Sequence, residues 1–401
     1  MLTRRQTDVV VVGGGMAGMC ASLSALDDHA RVITVEKGSR SGGSMRLSGG
    51  LIWTFISKAV LRKMIPDGNT ALQDMVVDDL WEGLSWLEGH GVSLEAERDF
   101  KSYGRGRGAS PPDLAWLFES RLQALGGELE LETPMETLLY EDGAVRGVRV
   151  SSPGGAVDIE AGAVVLASGG FQGNPELLVR YVTPYADKVY LRANPWSTGD
   201  GFLAATGIGA AVAPAMSAFY GHALPAPPAG FGPKELRDMT QRQGHVSVAI
   251  NLDGRRFADE SGGTGEEHLA QAMALQRDAT AVYITDAEIA ELPLRQGLAR
   301  TFIERLRNRG GPVIERQTLE ELCDALESWG VAGDRALLTL REFNQALAGG
   351  HPDQLNPPRQ GNRFPIVKPP FNAVLVRPGV TFTHGGLEVD TDLRVLRRSS
   401  S

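Results

Sequence analysis

The stretch "DVVVVGGGMAGMCASLSAL", beginning at residue 8, narrows the possible folds more than any other part of the chain. Its four valines, residues 9–12, form an apolar run with no polar alternation. A strand with that pattern is covered on both faces, so it belongs inside a parallel sheet flanked by helices. Gly13, Gly15 and Gly18 follow in a G-x-G-x-x-G spacing, and an Ala/Leu-rich helix is expected to run to about Leu26. Gly13 suits a tight turn, Gly15 lets a pyrophosphate touch the backbone, and Gly18 lets the helix pack on the strand. Met16, Ala17 and Gly18 open that helix, where free N–H groups attract phosphate.

A second β-type run, "RVITVEK", ends in Glu36, eighteen residues past Gly18. A carboxylate there accepts hydrogen bonds from ribose hydroxyls. The bland alternative is a glycine turn in another α/β fold, with Glu36 a solvated strand end. The next segment separates cofactors. After Lys37 comes "GSRSGGSMRLSGG", with Gly42, Gly43, Ser44, Ser48, Gly49 and Gly50. A simple nicotinamide enzyme would continue into alternating strands and helices. A second glycine/serine loop instead offers N–H groups and hydroxyls to a longer cofactor.

With these motifs the sequence resembles FAD-dependent oxidoreductases of the fumarate reductase/succinate dehydrogenase flavoprotein family. The finer spacing is similar to tricarballylate dehydrogenase-like members. Residues 126–171 resemble that family's three-stranded excursion back to the nucleotide sheet, with turn signals at Asp142-Gly143 and at Pro153-Gly154-Gly155. The return strand, residues 163–166, ends in Ala167, Ser168 and Gly169, where a tight backbone can sit beside an adenylate. "STGDGFLAATGIGA" resembles the family's Thr-Gly-Asp-Gly segment; read from its residues alone, it is a helix capped by Ser197, Thr198 or Asp200. "NLDGRRFADE" resembles the substrate-domain hairpin, and "KPPFNAVLVRPGVTFTHGGLEVDTD" the return from that domain.

The resemblance implies an α/β fold, a Rossmann-like, glutathione-reductase-type FAD domain with an inserted α+β cap domain. Residues 1–216 would form its first segment, 217–379 the cap, and 380–401 the start of the returning segment. It also implies FAD contacts from Gly13, Gly15, Met16, Ala17, Gly18, Glu36, Lys37, the second glycine loop, Met135, Ala167, Ser168, Gly169 and Asp200. Substrate would lie at the interface of cap and flavin, where ligand sites tend to form.

Three departures qualify that picture. The second glycine loop has no histidine, so FAD is expected to be held noncovalently. The position of the family's proton-donating arginine falls near Ile289, and the family histidine before the last Gly-Gly pair falls on Phe382, with His384 two residues on. Fumarate reduction itself is therefore not expected. Lastly, "GGLEVDTDLRVL" reads as a short strand, a turn at residues 390–392 and a second strand. A further strand and a glycine-rich helix follow in the family, so the end at residue 401 is read as a missing segment.

The cap candidates each carry two readings. His222 could orient an anionic or carbonyl substrate, or be a satisfied structural histidine. Arg256 and Glu260 flank Phe257 and could relay a proton, or simply brace the hairpin. His384 could contact substrate or flavin, or serve structure. His245 and His268 read as solvated. The expected chemistry moves a hydride between flavin N5 and a carbon adjacent to a carboxylate or carbonyl of a small organic substrate, with an unknown electron partner. One rival is a ketosteroid-type dehydrogenase, for which Tyr220 and Tyr283 are the tyrosines to test. The other is a catalytically inactive FAD-fold protein.

Composition closes some doors. A net charge of −9 with interleaved signs argues against nucleic acid as a partner. No apolar run reaches spanning length, and no secretory leader pattern opens the chain. Two cysteines, Cys20 and Cys323, are too few for a disulfide framework, which leaves a reduced cytoplasmic compartment as the expectation.

Overall fold

The computed structural model describes residues 3–262 and 266–398. It divides into two compact units, one of Met1–Asn174, Ala193–Ala215 and Gly385–Ser401, the other of Pro175–Arg192 and Met216–His384.

The first unit is built on the strand Thr3–Val12, which pairs in parallel with Val32–Val35 on one edge and with Gly155–Leu166 on the other. Glu128–Glu130 extends the parallel sheet beyond Val32–Val35. Ala144–Ser152 and Met135–Glu141 add an antiparallel meander beyond Gly155–Leu166. The valine run is covered on both sides, as an uninterrupted apolar strand must be. Val11 packs with Met19 and Leu23 of the helix Met16–Asp27 and with Phe118 of Pro111–Ala124. Val10 and Val12 pack on the opposite face with Ile33, Val35, Val148, Val150 and Ala205. The hairpin at Asp142 and Gly143 has φ of +50° and +78°, two left-handed residues in the turn that Asp-Gly favours.

Residues 387–397 close on this unit by single bridges rather than by the two strands expected. Leu387 bridges Val212, Val389 bridges Val395, and Arg397 bridges Ala210. The Asp390 Oδ1 carboxylate oxygen accepts the N–H groups of Asp392 and Arg394, both at 2.9 Å, which fixes the intervening turn.

The second unit is organised around Phe371–Thr383, a thirteen-residue strand. It pairs antiparallel with Phe219–Pro225, Ala281–Thr285 and Val313–Arg316, and parallel with Tyr190–Leu191. Val248–Asn251 continues the sheet past Ala281–Thr285. Both faces are again buried, and alternation sorts them. Val248, Ile250, Val282, Ile284 and Ala373 meet the helices Leu319–Leu326 and Gly333–Ala348. Ala249, Ala281, Tyr283, Val374 and Val376 meet Glu266–Ala274 and Ala299–Asn308. A reciprocal Thr318–Glu321 capping box starts the Leu319–Leu326 helix.

These units differ from the division 1–216, 217–379 and 380–401 in three places, the smallest being that Met216 falls in the second unit. Residues 175–192 belong with the second unit, because Tyr190–Leu191 is a strand of its sheet and Thr183 Oγ1 donates to Ala274 O at 2.5 Å. Residues 380–384 also belong there, because the strand that begins at Phe371 runs on to Thr383.

Candidate functional site

The glycine turn of the first unit is shaped by contacts that no side chain could share. Gly13 has φ +110°, and a Cβ there would stand 2.4 Å from Ala167 O. A Cβ on Gly18 would stand 1.8 Å from Gly13 O, so the helix reaches the strand only because residue 18 is glycine. Gly15 is different: a Cβ there would meet nothing within 4 Å. Its openness faces a helix start whose N-cap, Gly15 itself, supplies no side-chain acceptor to the first N–H groups. A twelve-residue helix with that end uncapped, beside an open backbone, is a cradle for a phosphate.

Glu36 closes the far side. Its carboxylate is buried at 6 % exposure, and Oε2 accepts the Gly14 N–H at 2.7 Å while Oε1 accepts the Gly38 N–H at 2.6 Å. Each carboxylate oxygen has a second lone pair left to accept a hydroxyl, as the diol of a ribose requires. The second glycine loop is folded against the first: Gly42 N–H donates to Gly14 O at 2.7 Å, and a Cβ on Gly43 would stand 3.3 Å from Gly15 Cα. These residues fit the pyrophosphate and ribose of an FAD.

The remaining expected contacts sort by what holds them. Lys37 Nζ donates to Thr198 Oγ1 at 2.5 Å and to Asp200 Oδ2 at 2.9 Å, and Thr198 Oγ1 donates to Asp200 Oδ1 at 2.6 Å. Lys37 and Asp200 thus clasp the end of one strand to the start of the Asp200–Gly207 helix. That helix has Gly199 at its N-cap and no side-chain cap, so the capping expected of Ser197, Thr198 or Asp200 is replaced by the clasp. Ser48 Oγ accepts the Gly50 N–H at 3.0 Å, and Gly50 packs so closely that a Cβ would stand 1.9 Å from Ala109 O. Those two shape the loop. Ser44 is half-buried in the turn Gly43–Leu47, and Gly49 is exposed. The Met135 side chain is buried in the apolar core with Val35 and Val148, leaving only its backbone for a ligand. Ala167 N–H donates to Val12 O at 2.8 Å; Ser168 and Gly169 follow, with Gly169 at φ +76° beside Ser197.

In the second unit a chain of polar groups runs across the Phe219–Pro225 strand. The Tyr220 hydroxyl lies 3.0 Å from His222 Nε2, and His222 Nδ1 lies 3.1 Å from Glu266 Oε2, too oblique for a straight hydrogen bond. Arg242 NH1 donates to the same Glu266 oxygen at 3.1 Å, and Arg242 Nε to Gln296 Oε1 at 3.1 Å. Burial alone would raise the Glu266 pKa; His222, then Arg242 and His245, override it and hold the carboxyl below its ordinary value. Tyr220 stacks on Phe382 at 4.9 Å, and His384 meets that ring edge-on at 5.9 Å.

His222 is 4 % exposed with a neighbour at each ring nitrogen, so its outlet is the Tyr220 hydroxyl, a residue sequence reasoning tied only to a steroid substrate. The His384 ring makes no hydrogen bond among the described residues, and crowding of the ring lowers its pKa by desolvation. Arg256 and Glu260 stand elsewhere, in a closed triad. Glu260 is fully buried; it accepts the Ala249 N–H, Arg256 Nε and NH2, and Arg359 NH1, at 2.6–3.0 Å. Both guanidinium groups lie over the Phe343 ring, at 5.3 and 5.4 Å. With every lone pair engaged and no solvent, this geometry braces the hairpin and gives a proton nowhere to go. Arg359 is the member that spacing did not reveal. Tyr283 is likewise buried in the core, its hydroxyl pushed far up in pKa by desolvation. Ile289 packs in the core with Val282 and Ile284. His245 is half-buried rather than solvated, with Nδ1 3.1 Å from Arg242 O, while His268 is exposed.

The sequence profile of the FAD binding domain family matches residues 8–401. The chain belongs to that family. It is, with it, a flavin-dependent oxidoreductase. A probable fumarate reductase, Ifc3, of Shewanella frigidimarina is 26% identical over 417 residues, covering 97% of this chain and 67% of the relative. A urocanate reductase of Eggerthella lenta is 26% identical over 416 residues, with coverage of 97% and 67%. The chain therefore spans about two thirds of these relatives' length. Among solved structures, the 3-ketosteroid delta1-dehydrogenase of Sterolibacterium denitrificans superposes with a TM-score of 0.73 at 19% identity, covering 98% of this chain and 91% of that one. This likeness bears out the α/β FAD-domain fold. Among the described residues of this FAD-binding family member, no helix is long and apolar enough to cross a membrane.

Proposed function

We propose that the chain desaturates, or in reverse reduces, a carbon–carbon bond beside a carboxylate or carbonyl of a small organic substrate, with Tyr220 as the proton-handling group. The observation that carries this reading is the Tyr220–His222–Glu266 chain at 3.0 and 3.1 Å, in a member of an FAD-binding family. FAD would be held noncovalently by the uncapped helix start at Met16, Ala17 and Gly18, the open face of Gly15 and the Glu36 carboxylate. Gly42, Gly43, Ala167, Ser168 and Gly169 would line it. Bound there, FAD supplies the redox chemistry, taking up or giving a hydride at N5.

Hydride transfer to or from carbon needs a matching proton, and the protein must handle it. Tyr220 gives that proton in the reducing direction and takes it in the other. His222 Nε2, hydrogen-bonded to the hydroxyl, replenishes or drains it. The Glu266 carboxylate, 3.1 Å from Nδ1, fixes the orientation of the ring. His222 works through Tyr220, and His384 shapes the aromatic wall of Phe382 rather than joining the relay. Arg256 and Glu260 act as a brace. A closeness to tricarballylate dehydrogenase-like members, which we infer from the spacing of the motifs alone, would fit an acid as substrate.

Stopped-flow mixing tests this reading. Protein-bound FAD, reduced anaerobically by dithionite, is mixed with small 2-enoic acids and, separately, with androst-4-ene-3,17-dione as electron donor to the oxidised form. Reoxidation by an acid, slowed about 10²-fold or more in Tyr220→Phe with FAD retained, is the expected result. A spectrum unmoved by either class would sink the reading. Electron flow from the steroid would favour the ketosteroid alternative, for which the overall superposition speaks.

A further inference from the structure

FAD contains one ribose ring, on its adenosine half, because the flavin carries an open ribityl chain. Only that ring presents a fixed cis-diol, so the base beyond a diol held by Glu36 is adenine. Whatever stands beside Glu36 therefore stands beside the adenosine. Gly38 shows what that is. A Cβ on Gly38 would lie 2.8 Å from Trp196 Cδ1, 3.0 Å from Trp196 Nε1 and 3.1 Å from Glu36 Oε1. The five-membered edge of the indole thus rests on the residue whose N–H donates to Glu36 Oε1 at 2.6 Å. Only glycine at position 38 lets the ring come so close.

The strap that carries Trp196 borders the cradle on both sides of that point. Asn194 Nδ2 lies 3.8 Å from where a Cβ on Gly43 would stand, and that position is 3.3 Å from Gly15 Cα, on the pyrophosphate side. Ser197 Oγ lies 3.2 Å from where a Cβ on Gly169 would stand. Trp196 falls between the two, and its backbone is tied down. Its N–H donates to Asn194 Oδ1 at 3.2 Å, and its carbonyl accepts the Thr198 N–H at 3.0 Å. Thr198 is held in turn by Lys37, the residue after Glu36. The indole itself is 47 % exposed, and its N–H makes no hydrogen bond among the described residues. A large amphipathic ring fixed beside the ribose carboxylate, with its surface left open, is short of a partner.

We propose that Trp196 is the adenine wall of the FAD site, the aromatic surface on which the base stacks beyond the Glu36-bound ribose. Stacking asks only for a π-face next to the base, and the indole offers the largest one a side chain can. Lys37 and Asp200 then do more than clasp a strand to a helix, since the same bonds hold the strap that presents the ring. The consequence is a choice of cofactor. An adenine dinucleotide gains this contact, and FMN, which ends at its phosphate, does not. The inference rests on the FAD reading above, and ADP reads it out without the flavin.

The test is calorimetric titration of the full chain, stripped of flavin, with FAD and separately with ADP. Trp196→Ala is expected to weaken both by a similar factor, about 5- to 100-fold, because the lost contact lies in their shared half. Trp196→Phe, which keeps a ring, is expected to lose much less. Trp196→Leu keeps apolar cover over Gly38 without a π-face; it is expected to behave like Trp196→Ala, and it carries the test if that variant does not fold. Unchanged affinity for FAD and ADP in the ring-less variants overturns the assignment and leaves the FAD reading standing. So does a loss for FAD alone, since the ring would then serve the flavin half. A wild type that binds neither ligand overturns the FAD reading, and this inference with it.

Discussion

Gly18 and Glu36 decide the nucleotide turn one atom at a time. A methyl group on Gly18 would be driven into Gly13 O at 1.8 Å, so Gly18→Ala must push the helix off the strand. A stability loss of about 1–3 kcal/mol is expected, together with loss of FAD, measured by denaturant titration and flavin absorbance. Glu36→Ala strands the Gly14 and Gly38 N–H groups, at about 1–3 kcal/mol for each if water does not reach them. Retained stability in that variant would show that the carboxylate contributes little to the turn. The thiols predict a negative result. Burial pushes Cys20 up to about 11 and Cys323 up to about 12, so neither is a thiolate at pH 8. Native protein should resist iodoacetamide until it unfolds; rapid labelling would contradict the packing. At this scale the glycines were legible in sequence, because close backbone approach admits no other residue. Glu266 was not: nothing local marks it, and its place beside His222 Nδ1 comes from the fold.

Elements join residues that sequence order keeps apart. Glu266 opens its helix, and its carboxyl is held below 4.5 by His222, Arg242 and His245 against burial that raises it. A carboxyl depressed on folding adds stability above its unfolded pKa, and that contribution fades as pH falls through the folded value. Thermal unfolding of wild type should therefore lose stability as pH drops below about 4.5, and Glu266→Gln should flatten that dependence. Parallel pH curves for the two would exclude the ion pair. The Arg256–Glu260–Arg359 triad makes a different prediction. Removing one partner leaves an uncompensated buried charge, so Glu260→Gln should cost about 3–5 kcal/mol and leave the pH profile of turnover where it was. A shifted profile with unchanged stability would restore the relay. The hairpin carrying Arg256 and Glu260 was readable from "NLDGRRFADE", but its function was not, because Arg359 and Phe343 complete it from about a hundred residues away. The Lys37–Thr198–Asp200 clasp was hidden for the same reason.

Across the whole chain, alternation and glycine spacing determine two sheets buried on both faces, each legible because apolar runs and turn residues are local. The division into units was less so. A short strand at Tyr190–Leu191 has no periodicity to announce it, and Phe371–Thr383 continues past residue 379, where the cap was expected to end. The family match and the cradle both support the central proposal, that Gly13 to Gly18 with Glu36 hold FAD. Its most direct test is the visible absorption spectrum of the protein after reconstitution with FAD and removal of the excess, read against protein concentration. The expected result is one flavin per chain with resolved vibronic structure, lost in Gly18→Ala. A colourless protein that is folded by circular dichroism would contradict it.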